Sequence, residues 1–356
     1  MISKSSIKLT ERGNLLSALA ATVADYRAGE LAPPTPEHVD RWVSQFEDDV
    51  QVPILREMDH VLKTTYFSRA SVERFLSDLV VRKRLVGEDP CGFWKGASLL
   101  NIQQNGRSQA EMVEIFSSIL RRRCNLTVED CTGASGTYIY LDDGLFSGAR
   151  IGKDLRAWLR ADAPEEARVH LVVIATHTYG EWTCIEWLKS EAQRAGKRIR
   201  FTVWPAISFE NRKSYRDSSE VLWPAVLPED DHLEVYLEGE TDFPFLPRKA
   251  GGRLKNQMFS SEAGRALLER ELLLAGVKIR ALCKRPSEIM RPLGYSRFGL
   301  GFGSMIVTFR NCPNNCPLAL WWGDPEADPS HPFSRWSPLF PRKTYEKGGG
   351  FDDFIG

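Results

Sequence analysis

The chain has 356 residues, with 47 Lys and Arg balancing 47 Asp and Glu, and is 42% hydrophobic and 26% charged. This composition excludes a disordered or fibrous chain, and the zero formal charge leaves no global field to draw it to nucleic acid or an anionic membrane. Any anion site must therefore be local, and the length points to two or three structural units.

The start, MISKSSIKLTERGNLL, lacks the apolar stretch of a signal peptide, and no window approaches the ~20 apolar residues of a membrane helix, so a cytoplasmic protein is expected. From about residue 10 to 85 apolar residues recur at helical spacing (Trp42 and Phe46; Ile54, Met58, Val61 and Leu62; Val72, Phe75, Leu76, Leu79 and Val80), which predicts an N-terminal helical module over 1–88. LAPPTPE, Leu31 to Glu37, separates its first two helices, and Asp40 and Ser68 or Ser71 are the expected caps. The pattern changes at Asp89-Pro90. Residues 97–103 read as a strand, QNGRS (104–108) as a loop, and 109–123 as a helix burying Met112, Ile115, Phe116 and Ile119. The strand TYIYLDD, a glycine-bearing loop and the helix ARIGKDLRAWLRA follow, then the strand VHLVVIAT, the loop HTYG, a helix from Glu181 and the strand RIRFTVW. This alternation over 89–206 predicts an α/β core, a parallel sheet flanked by helices, with its ligand edge at the carboxyl ends of the strands, where all three loops fall. Residues 207–356 read as a C-terminal α+β extension, with a helix from Ser260 to Gly276, a strand over GFGSMIVTFRN, and a tail from Asp324 that wraps the surface through Trp and Phe anchors or frays.

Seven cysteines at irregular spacing (Cys91, Cys124, Cys131, Cys184, Cys283, Cys312 and Cys316) in a chain too large to need staples predict reduced thiols and no disulfide. Cys312 and Cys316 have the look of half a zinc site, but no second pair follows at ligand spacing, and buried thiols near a turn are the preferred reading. There is no GxxxxGK[ST] loop and no GxGxxG after an early strand, and GFGSM reads as a tight entry into a strand.

The segment that carries chemistry is TYIYLDDGLFSGAR. Apolar strand residues deliver two consecutive acids, and four residues later a Ser-Gly opens the next helix. Backbone N–H groups from Gly144 to Ala149 at a helix start can ring a phosphate, which the helix dipole favours. Ser147 adds a hydroxyl, and Gly144 and Gly148 permit close approach. Two carboxylates beside an anion make sense only if they face another part of the same ligand: Asp142 and Asp143 suit ribose hydroxyls or a hydrated Mg2+, which prefers a few carboxylates plus water and phosphate oxygens.

This segment resembles the phosphoribosyl-pyrophosphate motif of type I phosphoribosyltransferases, in which an apolar strand precedes two acids, three variable residues, Thr or Ser, and Gly. Asp142 and Asp143 fall on the acidic pair, Gly144, Leu145, Phe146 and Ser147 on the phosphate loop, and Gly148 and Ala149 on the turn into the helix; Ser147 stands where Thr is more usual. The resemblance implies a pyrophosphate loop after the preceding strand, where Asn105, Gly106, Arg107 and Ser108 lie; Arg107 there either holds a diphosphate or is a solvated residue of an exposed turn. More widely, WVSQFE, NGRSQAEM, LDDGLFSG, FSSEAGRALLERELLLAGV and NCPNNCPLALWW resemble the PRTase-CE family, phosphoribosyltransferase-like proteins of bacterial conflict and anti-phage loci, over most of the chain.

The resemblance implies a protein that binds phosphoribosyl pyrophosphate or a nucleotide with Mg2+ and acts at the anomeric carbon, with Asp142, Asp143 and Arg107 as candidate catalytic residues and Asp142 and Asp143 holding the metal. The rival readings are a catalytically inactive nucleotide sensor or interaction protein with a partner from a defence system, and a nucleic-acid effector suggested by the basic stretch from Arg248 to Lys255, against which the neutral charge counts. Around the site, His177 is expected to be structural rather than a general base, Arg121 to Arg123 to complement a helix dipole, Asn314 and Asn315 to form a turn, and Trp321 and Trp322 to sit in a core or interface.

Overall fold

The computed structural model describes residues 4–103, 108–239, 245–297 and 299–342. Their contacts divide into two compact units, one built from the described parts of 1–68 and 210–355, the other from 69–209. The expected division at 88 and 206 differs from this in one respect that matters: the first helices belong with the C-terminal third of the chain, and residues 69–88 belong with the α/β core.

The first unit opens with α1 (Lys4–Thr22), α2 (Pro36–Val43), α3 (Asp48–Thr65) and the short strand β1 (Tyr66–Phe67). Thr35 caps α2 by accepting from the His38 amide, with Pro36 at the first position, where its missing N–H costs nothing. Asp40, expected to be a cap, lies inside α2 and pairs with Arg12 of α1.

The second unit runs through α4 (Arg69–Val80), α5 (Lys83–Val86), α6 (Pro90–Gly96), β2 (Ala97–Leu100), α7 (Ser108–Cys124), β3 (Thr137–Leu145), α8 (Ala149–Ala161), β4 (Glu166–His177), α9 (Thr178–Arg194) and β5 (Arg198–Phe209). Its four strands are parallel and lie in chain order, β2-β3-β4-β5, so the predicted α/β sheet flanked by helices is present. Alternation along the strands sends Tyr140, Val169, Leu171 and Val173 to one face, where they are buried with Ile151, Leu155, Trp158 and Leu159 of α8 and Cys184 and Leu188 of α9. Each fully buried side chain of this size contributes about 1.5–3 kcal/mol. On α7, Met112, Phe116 and Leu120 are buried; this helix packs against β3 and α4, and Phe116 meets the edge of Trp94 at 4.8 Å.

The chain returns to the first unit with α10 (Asp231–Glu238), α11 (Glu262–Ala281), β6 (Val307–Thr308) and α12 (Leu318–Trp321). Of the strand expected over 301–311, only the two residues of β6 pair, in parallel, with β1. Loops take the other backbone groups: Gly303 donates to Leu293 O, and Ser304 to Asn315 O. Glu57 of α3 accepts from the Ser260 amide and hydroxyl just ahead of α11, whose cap is Ser261. Arg248 is buried and paired with Glu269 and Glu262, so the basic stretch at 248–255 does not present that residue to a nucleic acid. Glu269 also binds Arg265, whose guanidinium reaches Ser219 Oγ and the Val221 carbonyl. Trp321 and Trp322 are buried, Trp321 donating to the Cys316 carbonyl, and Asn315 donates to Tyr295 O, as a core and a turn require.

The reduced-thiol expectation fails at one pair. Cys91, at the start of α6, and Cys124, the last residue of α7, are joined by a disulfide with Cα atoms 5.3 Å apart. Irregular spacing hid this pairing because β2 and α7 double the chain back on itself, a tertiary event with no local signal. Cys131, Cys184, Cys283, Cys312 and Cys316 are free, and no group of three metal-ligating side chains occurs among the described residues. Alkylation of unfolded, unreduced protein should therefore modify five thiols and, after reduction, seven; seven without reductant would exclude the bond. Closing a loop with sequence separation 33 corresponds to about 3–4 kcal/mol of stabilisation in the chain-entropy account.

Candidate functional site

Strand β3 is longer than the sequence pattern suggests. Gly144 and Leu145 still pair with Ala175 and Thr176 of β4, so the acidic pair stands inside the strand and the connecting loop shrinks to Phe146, Ser147 and Gly148. Gly148 is the N-cap of α8 with φ 77°, a left-handed conformation that suits glycine. Ser147 Oγ accepts a long 3.4 Å bond from the Ala149 amide, so the first turn of α8 begins at an exposed hydroxyl.

A second backbone holds this loop. A Cβ on Gly180, near the start of α9, would lie 1.6 Å from the Phe146 carbonyl oxygen, and one on Gly148 would lie 2.5 Å from Cys184 Cβ. The loop and the α9 start thus touch main chain to main chain. The Phe146 ring packs at 5.3 Å from His177, which closes β4, and His177 lies 6.1 Å from Phe209 at the end of β5. Burial lowers the His177 pKa to about 3, so this imidazole is neutral near pH 7 and poorly suited to general-base work.

The acids sit beneath the loop. Asp142 and Asp143 are 1% and 6% exposed, and the Asp143 amide donates to Asp142 Oδ1 at 2.9 Å. Burial pushes the Asp143 carboxyl up, while Arg150 in the first turn of α8, the Asp142 side chain and the Gly144 amide pull it down. Next along β3, the Tyr140 hydroxyl donates to Asp154 Oδ2 of α8 at 3.0 Å, both groups buried. Burial raises the Tyr140 pKa first, and the nearby Asp142 and Asp154 charges raise it further, while Arg150 lowers it. Three carboxyls, one phenol and Arg150 are therefore gathered near the β3–α8 loop.

Of the other expected residues, Gly106 and Arg107 lie outside the described residues, and Ser108 opens α7. Sequence reading missed Gln109, which is fully buried. Its Oε1 accepts from the Ile102 and Gln103 amides at 2.6 and 2.9 Å, its Nε2 donates to Leu141 O at 3.3 Å, and its own amide donates to Gln103 Oε1. Gln109 ties the two flanks of 104–107 to β3, one residue before the acidic pair. Asp154 and Arg150 were also missed; their only sequence signal is a helical spacing that carries many surface residues.

Two outcomes follow. Because the folded His177 pKa lies below its ordinary 6.5, the unfolded chain takes up the proton first. His177 thus imposes no penalty above pH 6.5 and destabilises the fold as pH falls toward 3, by about 2 kcal/mol at pH 5. Urea unfolding at pH 7.5 and 5 should show a smaller acid loss for His177→Phe than for the wild type; equal losses would remove His177 as the source. Gly180→Ala should lower stability by about 1–3 kcal/mol through overpacking against the Phe146 carbonyl, and an unchanged thermal midpoint would contradict the contact.

A family model, PRTase-CE, matches residues 39–342. No curated protein and no solved structure matches the chain.

Proposed function

The chain belongs to the PRTase-CE family and is phosphoribosyltransferase-like, and from that premise we propose that the β3–α8 edge binds a phosphorylated ribose, either phosphoribosyl pyrophosphate or a nucleotide, together with Mg2+. The observation that carries this reading is the three-residue loop from Phe146 to Gly148, delivered by an acidic pair and opening directly onto a helix start. Amides from Phe146 to Ala149 and the Ser147 hydroxyl would hold the 5'-phosphate, Gly144 and Leu145 being paired within the strand. Asp142 and Asp143 would orient the ribose and hold the metal, whose charge would offset the diphosphate. Two neighbouring carboxyls suit Mg2+, which keeps water and substrate phosphate oxygens for its other positions. Gly106, Arg107 and Ser108 would complete the diphosphate side. If the protein is a transferase, its work at the anomeric carbon is positioning and electrostatic stabilisation, with no general base required of His177.

The burial of both acids favours a second reading, in which the fold binds a nucleotide without turnover and signals to a protein partner. Both readings fit an effector of anti-phage defence working in the cytoplasm, where phosphorylated ribose is made; the Cys91–Cys124 bond would there face a reducing thiol pool. No helix among the described residues is long and apolar enough to cross a membrane.

Calorimetric titration of phosphoribosyl pyrophosphate with and without Mg2+ should show metal-dependent binding that Asp142→Asn/Asp143→Asn abolishes. The raised Asp143 pKa adds a sign: where the carboxyl is protonated a metal must displace that proton, so affinity should strengthen as pH rises. Pyrophosphate release in the presence of an acceptor would select the transferase; binding without release would select the sensor. No binding by the wild type would remove both.

A further inference from the structure

The sheet face turned away from α8 and α9 carries a second feature. There Trp204 of the edge strand β5 stands beside His170 of β4, and its indole Nε1 donates to His170 Nδ1 at 2.9 Å. Phe93 of α6 lies 6.5 Å beyond His170. Burial, with help from Arg168, lowers the His170 pKa to about 4, so Nδ1 keeps the lone pair that accepts this bond. With its only donor engaged by the protein, the indole can meet a ligand only through its π face.

A cleft of about 260 Å3 opens at that ring, lined by Thr202, Val203, Trp204 and Pro205 and by Arg82 and Arg84 at the start of α5. The Arg84 guanidinium carbon stands 5.8 Å from the Trp204 ring centroid. Among the described residues neither Arg82 nor Arg84 is paired with a carboxylate, whereas their neighbour Lys83 pairs with Glu88 and Arg198 of the same strand with Glu166. Two guanidiniums without counter-charge thus border a fixed aromatic face and a short apolar wall.

We propose that this cleft is a second binding site, distinct from the β3–α8 edge, for a nucleoside monophosphate whose base lies on Trp204 and whose phosphate is held by Arg82 and Arg84. Guanidiniums bind phosphate through paired, charge-assisted donors. A flat base is the partner that uses an aromatic face, and Arg84, whose guanidinium stands over the ring, would share that face with it. An aliphatic phosphate would leave the ring unused. The volume falls just below the roughly 300–1,000 Å3 of pockets that enclose a drug-sized ligand, which fits a mononucleotide held by one edge with its sugar in solvent.

The test is calorimetric titration of AMP, adenosine and inorganic phosphate into the full chain, into Arg82→Gln/Arg84→Gln and into Asp142→Asn/Asp143→Asn. The cleft predicts a component of AMP binding that survives in the acid-pair variant and weakens at least about tenfold in the arginine variant. Adenosine and phosphate should each bind it at least about tenfold more weakly than AMP. Both arginines are exposed, so an unchanged thermal midpoint of their variant confirms folding, and Trp204→Leu gives an independent loss of the same component. Absence of any such component overturns the site, as does phosphate binding as tightly as AMP. A ten-nucleotide single strand binding more tightly than AMP overturns it in favour of a nucleic-acid groove.

Discussion

The contact on which the site depends is the one between the Phe146 carbonyl and the backbone of Gly180. It is made by two main chains with no side chain between them, and a single methyl on Gly180 would intrude to 1.6 Å. That closeness fixes where the β3–α8 loop can sit relative to the end of β4. With Gly148 in a left-handed conformation directly above Cys184, the loop has little room to relax. The Phe146 ring, driven by its own burial against His177, pulls in the same direction. A loop held at both flanks can present its amides in a fixed array, which is what an anion needs if binding is not to be spent on ordering the chain.

The acids make the opposite demand. Burying two adjacent carboxyls is costly unless a proton, a donor or a cation compensates. The structure supplies partial compensation: the Asp143 amide serves Asp142, the Gly144 amide serves Asp143, and Arg150 stands over the pair from α8. The raised Asp143 pKa means that compensation is incomplete in the protein alone. A cation or donor brought by a ligand would complete it.

Much of this was legible in the sequence. Alternating strand and helix patterns pointed to a parallel sheet flanked by helices, and LDDGLFSG located the loop, because strand period, glycine placement and helix start are local properties. What escaped depends on distant residues meeting. Gln109 resembles any polar residue of a helical first turn, yet its amide stands in for the missing end of β2 by serving Ile102 and Gln103. Cys91 and Cys124 gave no sign of meeting, and Arg248, read as part of a basic stretch, is neutralised by Glu262 and Glu269 of a helix that begins 14 residues later. The strand expected over 301–311 was overread because apolar β-branched residues also line a buried loop whose amides bond to other loops.

The division of the chain carries a further consequence. The unit with the site is one uninterrupted stretch, 69–209, whereas the other is assembled from both sides of it. Its β1 and β6 pair Tyr66 with Val307, and Glu57 meets Ser260, so these contacts span some 200 residues of chain or more. Contacts at such separations close only after the intervening chain exists, while those of the α/β unit are mostly between consecutive strands, with one helix between each pair or little more. The α/β unit is therefore the part able to form first, and the buried Arg248–Glu269–Arg265 network can be satisfied only once α11 is present. The family match begins in α2 and runs to residue 342, taking in both units. The common pattern thus describes the interrupted unit as well as the loop, and a function confined to the loop would leave the larger part of that pattern without a role.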